Sequence, residues 1–223
     1  MGLFKAYFNY KKLALWAFHG LMISILLYFD TPMYRGFQSA LQWMNQQSFI
    51  LYHEIVKLRH WRFFNEFGCA WAGILICYFI WEYDRENRKK IVVLAVSALI
   101  SVSIYTVLQA TVGKLRPSVT DGVATYLPFL IGWQSDNSLS FPSGHATFAF
   151  TLASFLALLY PRRKYFFLLI ATATALARIY FHAHYFSDIY AGGVIGFETT
   201  NFVYFSYEWI TAKKGIGLNV SAP

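Results

Sequence analysis

The residues best suited to chemistry lie in two short stretches: residues 142–145, Pro-Ser-Gly-His, and the later set Arg178, His184 and Asp188. A Ser-Gly pair that opens a helix offers backbone N–H groups to an anion. Histidine is the side chain best suited to proton transfer or nucleophilic attack near neutral pH. Together the two stretches predict a site that binds an anion such as phosphate and reacts with it.

His184 and Asp188 are four residues apart, so on a helical turn they would lie on one face. The carboxylate would then hold one imidazole N–H and leave the other nitrogen free to attack phosphorus. Such an attack forms a phosphohistidine and divides one difficult displacement into two easier ones. His145 would protonate the departing oxygen and later activate water. His184, His145 and Asp188 are therefore the predicted catalytic residues.

Cationic side chains accompany these groups. Residues 114–117, Lys-Leu-Arg-Pro, supply a point charge and a guanidinium fork for phosphate oxygens. Arg178 would cost about 2.5–3.5 kcal/mol at the lipid-exposed centre of a membrane helix, so it is expected to face a polar site. The predicted phosphate-binding residues are Arg116, Lys114, Ser143, Gly144 and Arg178. His182 is a further candidate, and it is also well explained as a hydrogen-bonded surface residue.

The elements that position these groups are apolar. The chain has 223 residues, of which 57% are hydrophobic and only 13% charged, against about 25% charged in an ordinary soluble domain. Its apolar runs approach the roughly 20 residues that a membrane helix needs. We expect one all-α, membrane-embedded domain over residues 1–223, with six spans at about 13–29, 67–83, 91–112, 144–160, 165–182 and 188–209.

The net charge of +8 is explained by topology. If the spans alternate, twelve basic residues fall on one side, which the positive-inside rule makes cytoplasmic together with both termini. This placement argues against a nucleic-acid partner and leaves a weak attraction to anionic membrane lipids. The lysines before the first span resemble a signal peptide, but no small-residue cleavage site follows, so an uncleaved span is expected. The twelve are Lys5, Lys11, Lys12, Arg85, Arg88, Lys89, Lys90, Arg162, Arg163, Lys164, Lys213 and Lys214.

The same topology places three polar clusters at one extracytoplasmic face: residues 114–117, 142–145 and 178–188. Residues 30–66 and 113–143 form long connections at that face. Residues 30–32, Asp-Thr-Pro, are a good helix start. Apolar residues then recur at helical spacing, which predicts a helix lying in the membrane interface. That helix would guide a lipid toward the site or serve only as a packing lid.

Other features favour packing over chemistry. Gly192, Gly193 and Gly196 form a small-residue face that allows close helix approach. Cys69 and Cys77 are eight residues, or about 12 Å, apart along a helix, which forbids a disulfide and predicts two buried free thiols. His19 and Glu198 lie within spans and are expected either to be functional or to be hydrogen-bonded core residues.

With these motifs in place, the chain resembles the type 2 phosphatidic acid phosphatase family of integral membrane lipid phosphatases, whose site is shared with vanadium haloperoxidases. The family has Lys, six residues, Arg-Pro; then Pro-Ser-Gly-His; then Ser-Arg, five residues, His, three residues, Asp. Residues 142–145 match in full, and Arg178, His184 and Asp188 match in spacing. Ala177 replaces the usual serine. Gln109 occupies the position of the leading lysine, and the resemblance therefore makes it a further candidate site residue.

The resemblance covers about residues 91–200 and implies a six-helix bundle with an extracytoplasmic site. It implies that Arg116, Ser143, Gly144 and Arg178 bind phosphate, that His184 is the nucleophile, and that His145 is the acid. We expect no metal or other cofactor, because cationic side chains and helix N–H groups take its place.

The expected activity is release of phosphate from a lipid phosphate or diphosphate at the inner (plasma) membrane of a bacterial-type cell, with the site facing the periplasm or exterior. Candidate substrates implied by the family are undecaprenyl diphosphate, phosphatidylglycerophosphate, phosphatidic acid and lipid A phosphate. The alternatives are a phosphotransferase that passes the phosphoryl group to a second lipid, and a protein that binds or translocates lipid phosphates without turnover. A soluble haloperoxidase is excluded by the spans.

Overall fold

The computed structural model describes residues 10–46, 64–129 and 138–213. Within these residues, the helices of 14 residues or more are α1 (Tyr10–Gln46), α2 (Ala70–Tyr83), α3 (Ile91–Val112), α4 (Gly144–Leu159), α5 (Lys164–Tyr180) and α6 (Phe186–Lys213). Single 3₁₀ turns, Arg88–Lys90 and Pro161–Arg163, precede α3 and α5. Each of the six apolar segments predicted from the sequence is helical, which confirms the all-α class.

Helix α4 is the central element and packs against α3, α5 and α6. Ala146, Ala149 and Ala153, one helical turn apart, are completely buried along it. A Cβ added at Gly192 of α6 would lie 2.5 Å from the Ser143 carbonyl oxygen, and one at Gly196 would lie 2.2 Å from the Thr147 carbonyl oxygen. Side chains at these positions would force α6 away from α4. The predicted small-residue face is therefore confirmed as the contact between α4, which carries His145, and α6, which carries Asp188.

Helix α1 runs without interruption through residues 30–32, so the helix start predicted there is wrong. Pro32 lies inside the helix, where proline costs about 3 kcal/mol. Contacts to the neighbouring loops stabilise this part of the helix. The Thr31 hydroxyl accepts a hydrogen bond from the Ala124 N–H at 3.0 Å, and the Tyr34 ring packs edge-on against Tyr185. The segment predicted as a separate interfacial helix is the continuation of α1.

The outer surface of the helices is apolar. Segments Lys11–Trp43 and Arg88–Val112 are long and apolar enough to cross a membrane, and α2 and α4 are shorter apolar helices. Leu21 (59%), Ile74 (69%), Leu99 (70%) and Leu169 (67%) are exposed on four different helices. Soluble monomers rarely expose large contiguous apolar patches, so this surface suits a lipid environment.

Ionisable and thiol groups on the helices have identifiable surroundings. Glu198 forms an ion pair with Lys12 at 2.7 Å, and the His19 Nδ1 atom is 2.8 Å from the Tyr190 hydroxyl. Glu198 and His19, which the sequence analysis expected to be either functional or hydrogen-bonded core residues, thus both have polar partners. Cys69 and Cys77 are free thiols, as predicted, although each is only half-buried.

Candidate active site

His184 lies in the turn between α5 and α6 and is only 2% exposed. Its Nδ1 atom is 2.8 Å from the Ser140 carbonyl oxygen and 3.7 Å from the Asp188 Oδ2 atom. A carbonyl oxygen can only accept, so Nδ1 carries the proton and Nε2 keeps its lone pair. The prediction that Asp188 holds the imidazole N–H is therefore corrected. The Ser140 carbonyl makes the hydrogen bond, and the carboxylate acts on the ring through its charge.

These surroundings also affect the ionisation of His184. Burial lowers the pKa of its imidazole below the ordinary 6.5, and the neighbouring charges of Arg178 and Arg116 act in the same direction. The Asp188 carboxylate opposes this shift. The neutral ring, which is the nucleophilic form, is therefore favoured at neutral pH.

Asp188 is completely buried in the first turn of α6. Its Oδ2 atom accepts a hydrogen bond from the Tyr185 N–H at 2.7 Å, which is the return half of a capping box. Its Oδ1 atom accepts from the Lys114 ammonium at 2.7 Å. Both carboxylate oxygens are thus committed, which holds Asp188 in one orientation beside His184.

Lys114 does not lie where the sequence analysis expected it. Its side chain is completely buried, and its ammonium group contacts Asp30, Ser187 at 2.8 Å and Asp188 at 2.7 Å. An ammonium group has three donors, and all three are used. The structure therefore contradicts the prediction that Lys114 binds phosphate and gives it the role of an ion-pair partner beneath the site.

Arg178, in the last turn of α5, has a donor without a partner. One of its terminal nitrogens donates to the Asn65 side-chain oxygen. Its Nε atom is buried and, within the described part of the chain, has no hydrogen-bond partner. A buried unsatisfied donor costs about 1–3 kcal/mol, and more when the group is charged. A bound anion would satisfy it.

Arg116 reaches the same region from the loop after α3. Its Nε atom donates to the Leu139 carbonyl at 3.1 Å, which fixes the guanidinium while leaving its terminal nitrogens for other acceptors. Burial lowers the pKa of the Arg116 guanidinium from its ordinary value, and the charge of Asp188 opposes that shift.

The start of α4 is capped by its own sequence. The Ser143 hydroxyl accepts a hydrogen bond from the Ala146 N–H at 3.4 Å. A Cβ at Gly144 would lie 3.2 Å from the Tyr105 ring, so glycine allows α3 to approach closely. The N–H groups of Gly144 and His145 have no preceding turn to bond to, so this helix end is suited to an anion.

Backbone contacts join α4 to the other motifs. The Ser143 N–H donates to the Asp188 carbonyl at 3.0 Å, which ties the beginnings of α4 and α6 together. The Gln109 amide donates to the Pro142 carbonyl at 3.1 Å, and the peptide bond before Pro142 is cis. Gln109 therefore lies at the site, but it supports the backbone and brings no positive charge.

His145 is in the first turn of α4, close enough to Arg178, Arg116 and His184 to interact with them electrostatically. The three predicted motifs thus converge on one place. The His145 Nε2 atom is also 3.6 Å from the Cys69 thiol, immediately before α2. Sequence reasoning treated Cys69 as an inert buried thiol, and nothing in its spacing indicated this contact.

His182 is outside the cluster. It is exposed, has a left-handed backbone (φ 55°), and its Nδ1 atom is bonded to the Tyr34 hydroxyl. Three residues that contact the predicted site residues were not found from the sequence. They are Asn65, which contacts Arg178, Ser140, which contacts His184, and Asp30, which contacts Lys114. A backbone carbonyl leaves no signal in side-chain identity, and Asn65 and Asp30 lie outside the recognisable motifs.

Among the residues that the structure describes, no three His, Cys, Asp or Glu side chains lie together in a way that would hold a metal ion. The donors that do converge are two guanidinium groups, two imidazoles and the N-terminus of α4. This set is suited to an anionic ligand.

Comparisons with known proteins agree with this geometry. A sequence model of the PAP2 superfamily matches residues 90–212. Lipid A 4'-phosphatase of Bacteroides thetaiotaomicron is 27% identical over 201 residues, which cover 85% of this chain and 78% of that protein.

Two solved structures share the fold. The crystal structure of Aquifex aeolicus LpxE has a TM-score of 0.54 at 19% identity and covers 75% of this chain and 93% of that one. The PAP2-type phosphatidylglycerolphosphate phosphatase of Bacillus subtilis has a TM-score of 0.52 at 16% identity and covers 91% of this chain and 98% of that one.

Proposed function

The chain belongs to the PAP2 superfamily and is a lipid phosphatase, and from that premise we propose that it acts through a phosphohistidine formed on His184. The observation that carries this proposal is the buried Arg178 Nε donor, which has no partner among the described residues and which a phosphate oxygen beside the two histidines would satisfy. Arg116 and the N-terminus of α4 supply the remaining donors for the phosphate oxygens.

The first step of the proposed reaction is attack by the His184 Nε2 lone pair on phosphorus. A phosphorus–nitrogen bond forms, and the bond from phosphorus to the lipid oxygen breaks. His145, in its protonated form, gives its proton to that departing oxygen. Arg116, Arg178 and the helix N–H groups stabilise the charge on the remaining phosphate oxygens, where fixed donors in a water-poor site are most effective.

The second step regenerates the enzyme. His145, now neutral, takes a proton from water as the water oxygen attacks phosphorus. The phosphorus–nitrogen bond breaks, its electron pair returns to the His184 Nε2 atom, and inorganic phosphate leaves. The Ser140 carbonyl keeps the Nδ1 proton in place through both steps, which maintains the reactive tautomer.

We place the protein in the inner membrane of a bacterial-type cell, with its termini in the cytoplasm and the site at the opposite face. The apolar outer surface and the one-sided basic residues support this orientation. The candidate substrates are phosphorylated lipid A, undecaprenyl diphosphate, phosphatidylglycerophosphate and phosphatidic acid. The similarity to a Bacteroides protein named lipid A 4'-phosphatase supports testing phosphorylated lipid A first.

The test is phosphate release by the purified protein in detergent from each of these four lipids. His184→Ala is expected to abolish release, whereas His182→Asn is the matched control. It changes a histidine two residues away, outside the cluster, and asparagine accepts the left-handed backbone found there. Radiolabelled substrate is expected to leave acid-labile phosphate on the wild-type protein and none on His184→Ala.

Two results would replace the proposal. Phosphorylated acceptor lipid in place of free phosphate would identify a phosphotransferase. Lipid phosphate binding without release, equal in wild type and His184→Ala, would identify a binding or translocating protein. Vanadate, which mimics a five-coordinate phosphoryl group, is expected to inhibit the proposed phosphatase.

A further inference from the structure

Asp30 of α1 belongs to a buried ionic cluster beneath the site, although it lies outside residues 90–212, where the superfamily match falls. Asp30, Lys114, Ser187 and Asp188 are all completely buried. The Lys114 ammonium lies between the two carboxylates, bonded to Asp30 on one side and, at 2.7 Å, to Asp188 on the other. Because Asp188 is next to His184, Asp30 is one ion-pair partner removed from the nucleophile.

Asp30 also holds the beginning of α6. The residue before this helix is Tyr185, whose phenol does not cap the helix and points instead to the Thr120 hydroxyl at 3.1 Å. The Ser187 N–H, in the first turn, donates to the Asp30 Oδ1 atom at 3.0 Å. A carboxylate brought from α1 therefore takes the place of a local N-cap. The same contact fixes the turn that presents Asp188.

The hydrogen bonds indicate that Asp30 is ionised. The Lys114 ammonium, the Ser187 N–H and the Ser187 hydroxyl all donate to its two oxygens. An ionised carboxylate is an acceptor only, and these three donors suit that form. The cluster then holds two carboxylates and one ammonium group, which is a net charge of −1.

We propose that Asp30 is a positioning residue for phosphoryl transfer, which acts by keeping the cluster beneath His184 negatively charged while it holds the start of α6. This inference rests on the proposed function. Without Asp30, Lys114 would neutralise Asp188, and the cluster would carry no net charge. The charged groups that act on His184 directly are Asp188, Arg178 and Arg116.

The sign of the cluster charge matters because His184 becomes positive during the reaction. Attack by Nε2 turns the neutral imidazole into a phosphorylated imidazolium, and the two arginines that bind phosphate oppose that charge. A net negative charge on the other side of the ring favours it. The effect appears mainly in the transition state, so it is expected in kcat and not in KM.

The first variant is Asp30→Asn, which preserves the shape of the side chain and removes its charge. At an effective dielectric constant of about 20 and a separation of about 10 Å, one charge changes the rate by roughly tenfold. We expect kcat to fall by about that factor with KM changed less than about threefold. Removing a negative charge also lowers the pKa of the His184 imidazolium, so the acid limb of kcat/KM is expected to move to lower pH.

The second variant is Asp30→Asn combined with Lys114→Met. It removes more hydrogen bonds than the single change, but it restores the net charge of the cluster to −1 by leaving Asp188 alone. If charge is what matters, the double variant recovers kcat relative to Asp30→Asn, and its acid limb returns toward the wild-type pH. A purely structural role for Asp30 predicts the reverse, with the double variant the slower of the two.

Asp121→Asn is the matched control, since it removes an exposed carboxylate from a left-handed loop position that asparagine accepts. It is expected to leave kcat and the pH profile unchanged. Size-exclusion chromatography in detergent confirms that each variant is folded. Either measurement, the kcat of the double variant or the pH profile of Asp30→Asn, distinguishes a charge effect from a purely structural role of Asp30. An Asp30→Asn enzyme with wild-type kcat and acid limb overturns the inference, and a wild-type protein that releases no phosphate overturns the proposed function instead.

Discussion

Replacing Arg178 by lysine separates the two contributions that this side chain makes. Lysine keeps the positive charge but loses the planar fork and the Nε donor that lies buried without a partner. A hydrogen bond to a charged group contributes about 1.5–3 kcal/mol. Loss of one such bond to a phosphate oxygen in the transition state is expected to lower kcat/KM by about 10- to 150-fold. Arg178→Ala, which also removes the charge, is expected to lose more.

The assay is phosphate release in detergent from whichever lipid of the panel is the best substrate, together with inhibition by vanadate. Because vanadate resembles the transition state, its inhibition constant is expected to rise by a factor similar to the loss in kcat/KM. Arg163→Lys is the matched control, since Arg163 is exposed in the 3₁₀ turn before α5. Arg178→Lys with kcat/KM within about twofold of wild type would show that the Nε donor does not bind phosphate, and the site assignment would fail.

Two further substitutions and one pH profile test the fold and the chemistry. Gly196→Ala places a Cβ 2.2 Å from the Thr147 carbonyl oxygen and is expected to cost at least about 1–3 kcal/mol of stability. Gly20→Ala is the control, because a Cβ there meets nothing within 4 Å. Equal melting temperatures of the two variants in detergent would contradict the packing of α6 against α4. Gln109→Lys restores the cation that the resemblance expects and should leave turnover similar or higher, so a collapse of phosphate release would show that the site is misread. Burial lowers the pKa of His184 below 6.5 and only the neutral ring attacks, so the acid limb of kcat/KM is expected below pH 6.5. The substrate phosphate itself ionises near about pH 6, and titration by phosphorus NMR separates its contribution. An acid limb of the enzyme above pH 6.5 would contradict a neutral buried nucleophile.

The helices and the converging motifs were predictable because each leaves a pattern in consecutive residues. Apolar runs located the helical segments, and α3 begins and ends at the predicted residues 91 and 112. The glycines of α6 indicated close approach by their spacing, and the short distances from an added Cβ at Gly192 or Gly196 to the α4 backbone confirm it. Residues 142–145 indicated the helix start that carries His145.

The path of α1 was not predictable in the same way. Residues 30–32, Asp-Thr-Pro, have the local signature of a helix start, and local preference was the only available guide. The structure uses Asp30 and Thr31 for tertiary hydrogen bonds to Ser187 and Ala124, which are far away in sequence. Tertiary contacts therefore outweigh the local signal, and a single sequence does not show them.

The position of Lys114 shows the same limit within the site. A lysine two residues before Arg116 suggests a second phosphate-binding cation, and residue type alone cannot distinguish that role from a buried ion pair. The distinction depends on Asp30, which comes from a helix more than 80 residues earlier in the chain. The orienting contact of His184 was equally hidden, since the Ser140 backbone carbonyl makes it.

The neutral side chain at position 109 and the buried position of Lys114 decide how charge is distributed about the proposed nucleophile. With Gln109 neutral and Lys114 buried, Arg116 and Arg178 are the side-chain cations that the proposed mechanism assigns to phosphate. On the opposite side of the imidazole, the cluster of Asp30, Lys114 and Asp188 is negative. The proposed intermediate places negative phosphate oxygens toward the arginines and a positive ring toward the carboxylates, so each developing charge meets its opposite. In the proposed arrangement Asp30 supplies the second carboxylate, which keeps this cluster negative although Lys114 pairs with Asp188.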